Sequence, residues 1–117
     1  MRAVCAVLAI MLASASAQAA DPGGKFHIVG AGAVTCEQYT NATPEQRLYA
    51  ETWWAGYFTA LNRTTDDTYH VMGQVPAEQV NEMLRAYCAD NPNNRFALAV
   101  HKVAEELFPN RIRRSPN

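Results

Sequence analysis

Two cysteines set the terms on which this chain folds. Cys36 and Cys88 are the pair left once an N-terminal leader carrying Cys5 is removed. The leader is read from Arg2, an almost unbroken apolar run from Val4 to Leu12, and the small-x-small sequence Ala17-Gln18-Ala19, the form a signal peptidase accepts. Cleavage is expected after Ala19, with Ala17 the alternative. The apolar run falls short of the ~20 residues that span a bilayer, so residues 1–19 are read as a signal peptide and not as a membrane anchor. Export places the two remaining thiols in an oxidising compartment of the periplasmic kind, where an even cysteine count points to a disulfide. Within one chain they can pair only with each other; free thiols or an intermolecular bridge are the alternatives. Closing a loop of about 53 residues would contribute roughly 4 kcal/mol in the chain-entropy model.

Processing leaves about 98 residues, the size of one small domain. All 11 acidic residues lie in that part, and only Arg2 of the 10 basic ones is lost. The near-neutral balance gives no general argument for nucleic acid or an anionic membrane surface as partner. Residues 20–34, rich in glycine, read as a flexible lead. Residues 110–117, with Arg111, Arg113 and Arg114, read as a disordered basic tail.

Between them, residues 35–109 carry helical signals throughout. Thr35-Cys36-Glu37-Gln38 has the capping-box form and opens a short helix bearing Cys36 and Tyr39. Thr43-Pro44-Glu45-Gln46 combines an N-cap threonine with proline at the first helical position, and predicts a helix from Pro44 to about Asn62. Ala50, Trp54, Tyr57 and Leu61 form its apolar stripe, widened by Trp53 and Phe58. Gly56 costs about 1 kcal/mol against alanine in mid-helix, and close helix–helix approach beside the aromatics is the expected reason. Pro76 opens a third helix, on which Val80, Met83, Leu84, Tyr87 and Cys88 share a face. Asn91-Pro92 is expected to cap the fourth, whose inner face is Phe96, Ala99, Val100, Val103 and Leu107, with Pro109 ending it. Phe26-His27-Ile28-Val29 is the single β-like stretch and has nothing to pair with. The fold class is therefore all-α: a small orthogonal bundle of four helices, one of them short, with one disulfide.

Chemistry is sparse. His27, His70 and His101 lie far apart in the sequence and belong to no ligand motif. With both cysteines committed, a zinc cluster lacks ligands, and no GxSxG, P-loop or GxGxxG is present. His70 with Asp66 or Asp67 reads as a surface loop, and Glu78, Glu82, Glu105 and Glu106 as solvated helix faces. No catalytic residue, metal site or cofactor is assigned, and an enzyme is not expected. The aromatic cluster Trp53, Trp54, Tyr57 and Phe58 is the candidate partner-binding surface. Core packing is the default for such a stripe. Adjacent tryptophans, though, diverge by ~100° around a helix, so one of them is expected at an exposed apolar patch.

Taken in order, Cys36 with Glu37 and Tyr39, Trp53-x-x-Gly56-Tyr57, Tyr87-Cys88, Asn91-Pro92 and the amphipathic helix through Ala99 and Val103 resemble the HdeA/HdeB family of periplasmic acid-stress chaperones. The resemblance covers about residues 33–107. It implies an all-helical fold with a disulfide joining the first and third helical segments. The implied activity is that of an ATP-independent holdase, a homodimer at neutral pH that opens in strong acid and covers apolar surface on unfolding periplasmic proteins. Below about pH 3 the carboxylates are largely neutral and the processed chain carries about +13, which favours expansion. A second resemblance, to Rap1a/Tai-type periplasmic immunity proteins, rests on the Gly56-Tyr57 helix, the Tyr87–Pro92 turn and Leu107-Phe108-Pro109, and implies one specific toxin partner. The cysteines that pattern carries close before Gly56-Tyr57 and after Pro109 are missing here.

Overall fold

The computed structural model describes residues 20–116; the leader expected at residues 1–19 lies outside them. Helix α1 (Cys36–Thr40) and helix α2 (Pro44–Thr64) each begin with the reciprocal cap that their sequences predict. The Thr35 hydroxyl accepts from the Gln38 amide while the Gln38 side chain accepts from the Thr35 amide, and Thr43 and Gln46 repeat the exchange. Each cap satisfies two N–H groups that the first turn would otherwise leave unpaired. Helix α3 (Ala77–Asp90) follows a loop that ends at Pro76, and helix α4 (Phe96–Leu107) runs into a 3-10 turn at Phe108–Asn110. The described residues form four α-helices and no strand, as the all-α reading requires.

The core collects one face of every helix. Cys36 and Tyr39 from α1 meet Ala50, Trp54 and Phe58 from α2, Val80, Leu84 and Cys88 from α3, and most of the inner face of α4, all nearly inaccessible to solvent. The Cys36–Cys88 disulfide joins α1 to α3, with the two Cα atoms 4.7 Å apart. On α2 the sealed line is Ala50, Trp54 and Phe58, spaced four and four, while Trp53, Tyr57 and Leu61 flank it half-buried.

Three local expectations are corrected. Asn91-Pro92 does not open α4, which starts only at Phe96. Residues 91–95 instead cover the N-terminus of α1: the Cys36 amide donates to Asn94 O and the Glu37 amide to Pro92 O. Those two N–H groups have no partner within so short a helix, and the loop is held in place by supplying one. The basic tail is not disordered through its first residues. Ile112 pairs with His70 as an isolated antiparallel bridge, and Arg111 donates to Asp67 O and Thr68 Oγ1. Asp67 forms ion pairs with both Arg111 and Arg113. Finally, the glycine-rich lead is free only in its first part. Gly30–Ala33 forms a 3-10 turn packed between α2 and α4, and Gly32 is buried so closely that a Cβ there would collide with the Trp53 indole.

Candidate functional site

Helix α2 presents its aromatics to two different places. Trp54 and Phe58 pack tilted against each other inside the core, with ring centroids 5.2 Å apart. The buried indole N–H of Trp54 donates to Asn81 Oδ1 on α3 (2.9 Å), whose amide donates in turn to Glu51 Oε1 on α2 (3.1 Å). A buried indole without such an acceptor would be costly. Trp53 and Tyr57, one residue earlier on the helical wheel, stack on each other at 5.7 Å and line an open apolar groove of about 1160 Å³. Of the four aromatics read as a binding cluster, the structure brings Trp53 and Tyr57 to a surface and packs Trp54 and Phe58 away from it.

The opposite wall of the groove comes from the lead. Residues 26–29 run past the face of α2, and the Trp53 Nε1–H donates to Val29 O at 2.6 Å. Phe26 and Val29 are each 74% exposed, so apolar surface continues out of the groove onto the lead. At its far end α4 contributes Leu98 and His101, and the loop before it contributes Asn93, Asn94 and Arg95. Gly56 forms part of the floor. Nothing lies within 4 Å of the position its Cβ would take, so the close helix approach expected there is overturned: the missing side chain leaves open space.

A polar chain closes one flank. Tyr57 OH lies 3.0 Å from His101 Nδ1, and His101 Nε2 lies 3.3 Å from Glu105 Oε1. Burial, and secondarily the Glu105 charge, raises the Tyr57 phenol above its ordinary value. The Tyr57 hydroxyl and the His101 imidazole share this hydrogen bond, with the donor set by the imidazole tautomer. The Lys102 ammonium, 2.9 Å from Glu105, holds that carboxyl below its ordinary range, first through the hydrogen bond and then through charge.

Sequence separation hid part of this arrangement. His27 and His101 are far apart in the chain yet line the same groove, while His70 is engaged with Ile112 elsewhere. Ile28, Val29, Arg95, Leu98 and His101 were not singled out as site residues. The one usable signal was the apolar stretch 26–29 without a strand partner, which has to cover something or be covered. Among the described residues no group of three or more His, Cys, Asp or Glu is placed to hold a metal ion, and no helix is long and apolar enough to cross a membrane.

Comparison with known proteins adds the family. The model of the HdeA/HdeB family matches residues 2–97, whereas searches of curated proteins and of solved structures returned no match. The matched span takes in both bridged cysteines, the capped starts of α1 and α2, and the aromatic face of α2. With most of its length matched in this way, the chain belongs to the HdeA/HdeB family.

Proposed function

We propose that the protein is a periplasmic, ATP-independent acid-stress chaperone that exposes apolar surface at low pH and holds unfolding proteins in solution. Family membership supports the activity class and a periplasmic setting; a homodimer at neutral pH is part of the same proposal. The observation that carries the reading is how α2 is fastened. The side-chain hydrogen-bond chains that tie it to α3 and α4 each end on a carboxylate: Trp54–Asn81–Glu51 and Tyr57–His101–Glu105. Below about pH 3 carboxylates are largely protonated, so both chains lose their anionic acceptor as the chain accumulates positive charge.

The disulfide fixes what happens next. It links α1 to α3 and leaves α2 and α4 held by non-covalent contacts alone. When those weaken, α2 stays inside the covalent loop between Cys36 and Cys88, and Trp53, Trp54, Tyr57 and Phe58 become available together without the chain dispersing. The groove at Trp53 and Tyr57 is the part of that surface already open in the folded state.

The test uses oxidised, processed protein at pH 2–3 with several unrelated proteins as clients. Light scattering should show suppressed aggregation for each of them, alongside loss of near-UV circular dichroism from the aromatic core. A protein that keeps its near-UV signal at pH 2 and protects none of the clients would refute the assignment. Protection of one partner only, with tight binding at pH 7, would favour the immunity-protein alternative.

A further inference from the structure

We infer that the groove between residues 26–29 and the α2–α4 face binds the alkyl chain of an anionic amphiphile, a long-chain carboxylate, with Arg95 receiving the headgroup. The groove has the character of a small-molecule site: concave, largely apolar, and at about 1160 Å³ somewhat larger than ordinary ligand pockets. Its walls are Ile28 and Val29 on one side and Trp53, Tyr57 and Leu98 on the other. Apolar surface of this extent left open on a small domain marks a binding site.

The charge around it selects the ligand. Among the described residues no carboxylate lines the groove; its charged and titratable groups are Arg95, His27, His101 and Tyr57, accompanied by the Asn93 and Asn94 amides. Glu105, beyond His101, is already engaged by Lys102 and His101. Arg95 forms no ion pair among the described residues. One of its nitrogens donates to Ala33 O at 2.8 Å, which orients the guanidinium while leaving further N–H groups for a bidentate carboxylate. An unpaired guanidinium at the mouth of an apolar groove fits a molecule with one anionic end and a hydrocarbon body. A second copy of this chain is a poorer occupant. A two-fold contact lays the same patch upon itself and would set this cationic rim against its own image.

Gly56 provides the test. Because nothing lies within 4 Å of where its Cβ would sit, Gly56→Leu starts from open space and directs a side chain into the groove from its floor. Purified, processed protein at pH 7 is titrated with dodecanoate below its micelle concentration and, in parallel, with the uncharged dodecyl maltoside, following tryptophan fluorescence and calorimetry. Dodecanoate should bind one to one and at least about tenfold more tightly than the maltoside, the worth of one charge-assisted contact. Arg95→Gln should remove that preference, and Gly56→Leu should abolish binding of both. Leu98→Ser, at a partly exposed position, should weaken both and serves if Gly56→Leu does not fold. Equal binding of the two amphiphiles with no effect of Arg95→Gln overturns the inference. So does dodecanoate binding that survives both groove variants, or a dimer that Gly56→Leu dissociates and dodecanoate does not. The site does not rest on the chaperone reading. Failure of dodecanoate to bind at pH 7 leaves aggregation suppression at pH 2–3 unaffected, and the converse also holds.

Discussion

Two glycines show how far identical residues differ in what they do. Gly32 is buried against the Trp53 indole, and Gly56 faces open space on the same aromatic face. Gly56→Ala should therefore raise stability by about 1 kcal/mol through helix propensity alone. Gly32→Ala should lower it by about 1–3 kcal/mol as the indole is forced out of place. Urea midpoints measure both, and Gly32→Ala should also shift tryptophan emission, since Trp53 is the side chain that must move. Glu105 sets a second residue-level expectation. Its carboxyl titrates below the ordinary 4.5 in the folded state, so the unfolded chain binds that proton first as pH falls. The stability it contributes is present above its ordinary range and is lost as pH drops through its lower folded value. Glu105→Gln should flatten stability against pH over that acidic window, with a small loss at pH 8 that vanishes once the wild-type carboxyl is protonated. Full exposure keeps the effect small, and a steeper acid dependence in the variant would contradict it.

At the scale of elements, the strap after α4 deserves its own experiment. Ile112 O accepts from the Tyr69 and His70 amides, and the Ile112 amide donates to His70 O. Removing residues 111–117 should cost about 1–3 kcal/mol and speed hydrogen exchange at Tyr69 and His70, with the α3 amides little affected. Unchanged exchange at those two sites would show that the loop holds itself. The sequence disclosed the helices well because their information is local. Caps at Thr35 and Thr43, the face Val80–Leu84–Cys88 and the inner face of α4 are set by residues within a few positions of one another. The strap and the second half of the lead were missed for the opposite reason. Arg111 finds Asp67 across 44 residues and Trp53 finds Val29 across 24, and neither contact leaves a periodic trace. The start of α4 was misplaced because Pro92 reads as a helix opener, whereas its carbonyl is taken by the α1 N-terminus.

For the molecule as a whole, the disulfide sets the balance. Reduction at pH 7 should lower stability by about 4 kcal/mol, a large share of the ~5–15 kcal/mol typical of a domain. A reduced protein whose urea midpoint matched the oxidised one would mean that the bridge does not restrict the unfolded chain. In acid the oxidised protein should lose near-UV dichroism and regain it on neutralisation, because the covalent loop keeps α2 between its anchors. The reduced form should recover less completely. Helix number and order, the capped starts, the α1–α3 bridge and the family itself were determined by the sequence, since each is written in short spacings or in a cysteine count. The division of the aromatic cluster into a sealed pair and an open pair was decided only in three dimensions. So was the groove that joins the lead, Gly56, Arg95 and His101. Which side of a helix meets a neighbour, and what space a missing side chain leaves, depend on the packing of segments far apart in the chain.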